Sequence, residues 1–297
     1  MRLAGQWQRE IVAGVRHAVL GGGGIGALLA AALARSGAEV VLLLRAESAA
    51  SYGGRLQVES VVLGEFEVDV PAAPRLVRGV DVLWVAVKAT ALESALALAP
   101  PEVVADAVVV PLLNGVDHVA ALRCRYRYVV AAAIRVESER VSRGLIRQTS
   151  PFLRIDVAGA DQVCGAVRDS GIDCRTRDDE TTLLWEKLVF LAPIALATTA
   201  FEAPLGGVRD EPAFSGCRVE AASAARASGA EIDLDSIRVL HEGAPGEMRS
   251  SMQRDLDAGR EPELAAIAGP ILRLGREHGF PTASTEFLAE RIRTRLK

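Results

Sequence analysis

The feature that most constrains this chain is residues 17–26, HAVLGGGGIG, running directly into ALLAAALARSG. Three apolar residues lead into a run of glycines, and an apolar helical pattern follows without a break. That is a short buried strand, a tight turn and a helix whose first amides have no side chain to cap them. Gly21, Gly23 and Gly26 fall on the G-x-G-x-x-G spacing. The first permits the turn, the second lets backbone approach a pyrophosphate, and the third lets the helix lie close on the strand. Bare amides and the positive end of the helix dipole make an anion site. Gly21, Gly22, Gly23, Gly24, Ile25 and Gly26 are therefore the expected cradle of a dinucleotide. Four consecutive glycines meet the pattern partly by composition, and a purely structural turn is the alternative. The context favours the dinucleotide: strand before, helix after, and a second strand at 39–44 (EVVLLL) on schedule.

The residue just beyond that second strand chooses between cofactors. NAD enzymes place an acid there, about 20 residues after the glycines, for the ribose 2′-hydroxyl. This chain has Arg45, whose planar fork suits a 2′-phosphate, with Glu47 close enough to count against it. The reading is NADPH. Further along, 81–87 (DVLWVAV) is a core strand ending at Lys88, which points toward the ligand crevice or is a solvated loop cation. Residues 107–113 give another strand, followed by Asn114-Gly115, which makes a turn and can place an amide over the cofactor. Residues 55–70 read as two strands joined around Gly64, a small excursion from the main sheet. Residues 128–133 read as one strand, and 135–158 as a β-rich tail.

After about residue 177 the strand signals stop and helical periodicity takes over. Thr181 and Thr182 can cap a helix running past Trp185, Lys187 and Leu191. Further helices are expected near 212–228, 235–241, 262–278 and 284–296. The layout is an α/β nucleotide domain (1–177, with a short extension over the first fourteen residues) and an all-helical substrate domain (178–297), the active site lying in a cleft between them. A length of 297 residues suits two such domains.

Composition excludes several classes. Net charge is −4, and the arginines are interspersed with acids, so nucleic acid is not the expected partner. The four histidines and four cysteines show no metal-ligand spacing, and no metal is expected. Cys164 and Cys174 are close enough in sequence to pair, but reduced thiols in a cytoplasmic protein are the expectation. The longest apolar stretch, from Leu188, is short of a membrane span and contains Pro193, so it reads as a buried helix.

Two stretches of the helical half place polar groups among apolar ones. In LWEKLVFLAP, Lys187 either borders a low-dielectric cleft, where desolvation makes it a usable proton donor, or snorkels at a helix edge. In MRSSMQRDLDAGREPEL, Ser251 and Glu263 either face one cleft or serve as a cap and a first-turn acid.

With GGGGIG, Arg45, VAVKA and LLNG, these stretches resemble the ketopantoate reductases (2-dehydropantoate 2-reductases) over nearly the whole chain. The resemblance implies a Rossmann-type doubly wound parallel sheet, then a helical C-terminal domain like that of 6-phosphogluconate dehydrogenase. It implies NADPH, a small-molecule substrate and a homodimer. Lys187 matches the catalytic lysine and Glu263 the acid supporting it. Ser251 matches a substrate-binding hydroxyl, and Asn114 a residue near the nicotinamide ribose and substrate. Arg45 and Lys88 match the pair associated with the 2′-phosphate. Three substrate-binding asparagines of the family are replaced here by Leu191, Ala195 and Met248. The implied reaction is reduction of a 2-oxo acid, ketopantoate to pantoate by default, in pantothenate biosynthesis. The alternatives are a reductase of a less polar carbonyl or imine and a non-catalytic NADP-binding protein; a methyltransferase has no support downstream of the glycines.

Overall fold

The computed structural model describes residues 14–296, so the extension expected over the first fourteen residues lies almost wholly outside the described residues. The chain divides into two compact units. One comprises the residues up to Leu113 with His118–Glu180; the other comprises Asn114–Asp117 and the chain from Thr181 onward.

The first unit begins with β1 (Arg16–Leu20), α1 (Gly24–Arg35), β2 (Glu39–Leu43) and α2 (Ala46–Ala50). Next come β3 (Arg55–Ser60), β4 (Gly64–Asp69), β5 (Ala72–Ala73) and β6 (Val82–Val85). The short helices α3 (Leu92–Leu96) and α4 (Pro101–Val104), β7 (Val108–Pro111), α5 (His118–Arg123) and β8 (Tyr128–Val129) follow. The unit closes with β9 (Ala132–Arg135), β10 (Ser138–Ser142), β11 (Leu145–Gln148), β12 (Arg154–Ala158), α6 (Asp161–Asp169) and β13 (Asp173–Arg177).

Six strands form a parallel sheet in the order β5-β2-β1-β6-β7-β8. Counted along the chain within that sheet, this is the order 3-2-1-4-5-6 of a doubly wound dinucleotide fold, reversing between β1 and β6. The strands read as continuous apolar runs because they are covered on both faces; β6 and β7 are buried throughout. His17 sits within β1, and its Nδ1 accepts from Trp84 Nε1 at 3.2 Å. Burial pushes its pKa down to about 4, with Asp81 acting against the shift.

Two features depart from the sequence reading. Residues 55–70 are the expected pair of strands outside the main sheet, but they do not stand alone. β3 and β4 pair antiparallel, and β3 also pairs parallel with β11, giving a four-stranded sheet β10-β11-β3-β4 that packs on α1. Residues 128–133 are not one strand either. Val130 N still donates to Val109 O in the main sheet, whereas Ala131 O accepts from Ala158 N in the three-stranded sheet β13-β12-β9.

Cys164 on α6 and Cys174 on β13 form a disulfide, against the expectation of reduced thiols. A helix folding back on the following strand sets their Cα atoms 5.3 Å apart, within bridging range. Cys124 is an exposed free thiol and Cys217 a buried one, whose pKa burial pushes up to about 12.

The second unit is built on α7 (Glu180–Phe201), apolar on every side and mostly buried. It is long and apolar enough to cross a membrane, but 78% of its apolar window is buried inside the protein. Around it lie α8 (Pro212–Ala227), α9 (Leu234–Gly243), α10 (Ser251–Asp257), α11 (Leu264–His278) and α12 (Ala283–Arg295). The boundaries follow local chemistry. Asp233 caps α9, Gly279 ends α11 at φ +75°, and the Glu220 carboxylate accepts from Ser284 N and Thr285 N (both 2.8 Å) at the start of α12. His241 is stacked on Phe190 and holds Phe190 O through Nε2 at 2.8 Å; burial pushes its pKa down to about 4.

Candidate functional site

At the carboxyl end of β1 the chain turns through Gly21, held at φ +110°. A Cβ there would stand 2.8 Å from Ala86 O, so no other residue fits this turn against the end of β6. Gly26 is tighter still: its Cβ would lie 2.0 Å from Gly21 O, which is why α1 can sit so close to β1. Gly23 is different. It occupies the N-cap position of α1 with ordinary φ of −77°, and nothing lies within 4 Å of where its Cβ would point. α1 has no side-chain cap and no acid in its first turn, so the positive end of its dipole is uncompensated by the chain. Turn, close approach and open side thus fall at Gly21, Gly26 and Gly23, the three positions the spacing singles out. This is a cradle that fits a pyrophosphate.

Gly22 lies against Leu44 at the end of β2, while Arg45 follows, exposed, as the first residue outside α2. Lys88, also exposed, follows β6 and precedes a 3₁₀ turn. The structure adds residues that sequence reasoning missed. The β10–β11 hairpin folds over the glycine turn. Ser138 Oγ donates to Gly24 O at 3.0 Å, and Arg140 Nη1 donates to Gly22 O at 3.2 Å. More than a hundred residues separate these partners, and no local pattern signals the pairing.

In the helical unit, Lys187 lies half-buried on α7. Leu191 and Ala195 follow at i+4 and i+8 on the same face, and Thr198 completes it, since eleven residues bring a helix back to within about 20°. Thr198 Oγ1 donates to Ser250 Oγ at 2.8 Å, and Ser250 Oγ also accepts from Gln253 N at 3.1 Å. The cap of α10 is therefore Ser250, which leaves Ser251 exposed as the first helical residue rather than a cap. Met248, half-buried, precedes this cap, its carbonyl accepting from Leu205 N at 2.9 Å. The face that carries Lys187, Leu191 and Ala195 thus runs toward the Ser250–Ser251 turn.

Glu263 occupies the N-cap position of α11 but makes no capping bond. Instead its buried carboxylate accepts from Asn114 Nδ2 at 3.0 Å. The tetrapeptide 114–117, which follows β7, belongs to this unit. Gly115, at φ +84°, passes so close to Ala266 O that a Cβ would lie 2.5 Å from it, and Asp117 takes both Arg273 Nη atoms (2.7 and 2.9 Å). Asn114 and Glu263, 149 residues apart in sequence, are brought into one hydrogen-bonded pair. Among the described residues no group of three or more His, Cys, Asp or Glu side chains is placed to hold a metal.

These features define a protein class: a doubly wound α/β unit with a glycine cradle at its strand-order reversal, joined to a helical unit carrying a lysine, an acid and an amide. Comparison with known proteins gives the family. Residues 17–161 match the model of ketopantoate reductase PanE/ApbA, and residues 180–295 match its C-terminal counterpart. The 2-dehydropantoate 2-reductase of Mycobacterium tuberculosis is 30% identical over 281 residues, covering 91% of this chain and 94% of that protein. The crystal structure of a PanE/ApbA family ketopantoate reductase from Ralstonia eutropha JMP134 matches with a TM-score of 0.86 at 26% identity, over 95% of this chain and 98% of that one. A D-mandelate dehydrogenase, solved with NADH and anilino(oxo)acetate, shares the fold with a TM-score of 0.84 at 20% identity, over 95% and 98%. The chain belongs to the ketopantoate reductase family and is an oxidoreductase acting on CH–OH groups.

Proposed function

We propose that this protein uses NADPH to reduce a 2-oxo acid to the 2-hydroxy acid. Ketopantoate is the default substrate and pantoate the product, which places the enzyme in pantothenate biosynthesis. The observation that carries this reading is the Asn114–Glu263 pair, formed in the unit that also holds Lys187. The dinucleotide is assigned to residues 1–177, with residues 21–26, Arg45, Lys88 and Asn114 as its contacts, and the substrate to residues 178–297. We further assign the protein to the cytoplasm as a homodimer, on the family relationship alone.

When bound, the nicotinamide supplies hydride to the ketone carbon. The chain's own residues handle the rest. Lys187 Nζ gives a proton to the carbonyl oxygen as charge develops there, which completes the balance of one hydride and one proton per ketone. Glu263, its carboxylate held in direction by Asn114, orients the substrate and the lysine; Ser251 supplies a hydroxyl to the substrate.

Loss of NADPH absorbance on adding ketopantoate tests the reading. Lys187→Ala is expected to cut turnover by about 10²-fold or more while NADPH still binds. A wild-type protein that binds NADPH but turns over no oxo acid would leave the non-catalytic reading standing.

A second reading rests on Leu191, Ala195 and Met248, where three hydrogen-bonding groups of the family are absent. Each lost bond to a small polar substrate costs about 1 kcal/mol. That favours a bulkier, less polar 2-oxo acid or a related carbonyl or imine. A panel pairing ketopantoate with aryl and branched oxo acids separates the two by kcat/KM.

A further inference from the structure

The α/β unit contains a cavity of about 340 Å³ beside the glycine turn, which Gly22 alone of the cofactor and substrate contacts assigned under the proposed function lines. It is lined by Gly22, by Leu42, Leu44 and Ile146 among other apolar residues, and by residues 140–144 of the β10–β11 hairpin. Arg140 and Arg143 line it together with Ser48, Ser142 and Tyr52, and no acidic residue does. Among the described residues neither arginine has an acidic partner. Arg140 donates to Gly22 O at 3.2 Å and Arg143 to Ser51 O at 3.3 Å. Each bond uses one of five N–H donors and leaves the charge unneutralised. The Tyr52 hydroxyl is buried with no hydrogen-bond partner among the described residues. Asp69, the acid that acts electrostatically on Tyr52, is itself held by Arg55 at 2.8 Å.

Two exposed arginines with no acid beside them make this concavity positive, which favours an anion there. Position identifies the anion. In a doubly wound fold the ribose 2′ substituent lies between the glycine turn and the end of the second strand. Here those two points are Gly22 and Leu44, both lining the cavity, with Arg45 next in the chain.

We propose that Arg140 and Arg143, presented by the β10–β11 hairpin, are specificity-determining residues that bind the 2′-phosphate of NADPH together with Arg45. This rests on the NADPH reading above. Two planar forks beside one cavity can provide bidentate donors to phosphate oxygens, and Ser48 adds a hydroxyl. A 2′-hydroxyl offers neither the charge nor the acceptors, so the hairpin is silent toward NADH.

The test is calorimetric titration of 2′,5′-ADP and 5′-AMP into wild type, Arg140→Ala, Arg140→Lys, Arg143→Ala and Arg45→Ala. Wild type is expected to bind 2′,5′-ADP about tenfold or more tightly over 5′-AMP, and each hairpin alanine variant to lose about fivefold or more of that ratio, as expected for a charge-assisted bond. Affinity for 5′-AMP should stay within about twofold, which also shows that the site is folded, and Arg140→Lys should keep part of the preference. If Arg45→Ala abolishes the preference while both hairpin alanine variants keep it, the NADPH reading stands and this proposal falls. If Arg140→Ala weakens both ligands equally and Arg143→Ala weakens neither, the hairpin merely props the glycine turn and the proposal again falls. If wild type shows no preference for the 2′-phosphate, the NADPH reading fails first and the proposal with it.

Discussion

Gly23→Ala and Gly26→Ala add the same methyl group three residues apart and should have opposite consequences. At Gly26 the new Cβ would stand 2.0 Å from Gly21 O, a backbone atom that cannot rotate away, so α1 must lift off β1 or the turn must open. Overpacking of this kind costs about 1–3 kcal/mol, and rigid backbone on both sides puts it at the upper end. At Gly23 nothing lies within 4 Å, and φ of −77° suits alanine. Losing glycine at an N-cap costs a few tenths to about 1 kcal/mol, whereas restricting the unfolded chain returns about 0.4–1 kcal/mol. The net change in stability is close to zero. The methyl group does, however, occupy the open side of the cradle, where the pyrophosphate has to approach. We expect Gly23→Ala to unfold in urea at the wild-type midpoint and to bind NADPH at least about tenfold more weakly. Gly26→Ala should lower the midpoint visibly. Wild-type NADPH affinity in a folded Gly23→Ala protein would refute the assignment of this turn to the pyrophosphate, and a wild-type midpoint for Gly26→Ala would refute the packing argument.

Three further outcomes follow from buried groups. His17 and His241 have folded-state pKa values near 4 against 6.5 when unfolded, so between those values only the unfolded chain takes up protons. Stability is therefore full above about pH 6.5 and falls as pH drops toward 4, by roughly 2 kcal/mol per histidine at pH 5; denaturant titrations at pH 7 and 5 read this, and His241→Gln should remove its share of the slope. In thiol labelling without reductant, Cys124 should react in the native protein and Cys217 only on unfolding, with two more thiols appearing after reduction. Breaking that ten-residue loop should cost about 2–3 kcal/mol, and four thiols without reductant would contradict the pairing. Asn114→Ala removes the donor to a buried carboxylate and should destabilise the helical unit by about 1.5–3 kcal/mol, with a larger loss in kcat than the change in KM if Glu263 must be oriented for the chemistry.

Where chemistry is local, the sequence was readable. Gly21, Gly23 and Gly26 mark the turn because each position demands the absence of a side chain for its own reason: positive φ, an open side and a close approach. A helix start at Pro212 and a helix end at His278 are legible because caps and stops act within one turn. What could not be read was long-range. β3 pairs with β11 across almost ninety residues, and its alternation says only that it has two faces, not which strand it meets. The 128–133 run looked like one strand because apolarity is the same on either side of the point where the chain changes sheets. Ser250 and Ser251 are equivalent on paper, and only the contact with Thr198 decides which one caps. The Cys164–Cys174 pairing is not legible in the sequence because spacing alone does not show that α6 folds back on β13. Lys187 and Glu263 were picked out by resemblance; that Asn114 donates to Glu263 required the fold.

The face of α7 bearing Leu191 and Ala195 has a consequence for what such an enzyme can tell apart. A pocket that matches donors to acceptors rejects the wrong ligand by leaving its own groups unpaired, a discrimination of about 10⁴-fold or more. A pocket of methyl and methylene groups has only shape to work with, and a misfitting carbon costs about 1–3 kcal/mol, or 10–200-fold. The part of a substrate that meets Leu191 rather than Lys187 would be chosen by fit alone. Such an enzyme grades its substrates continuously rather than accepting one and refusing the rest; Ala195 is packed in the helical core, so the position that shapes this surface is half-buried Leu191, and Leu191→Ala should reorder the ranking without abolishing turnover.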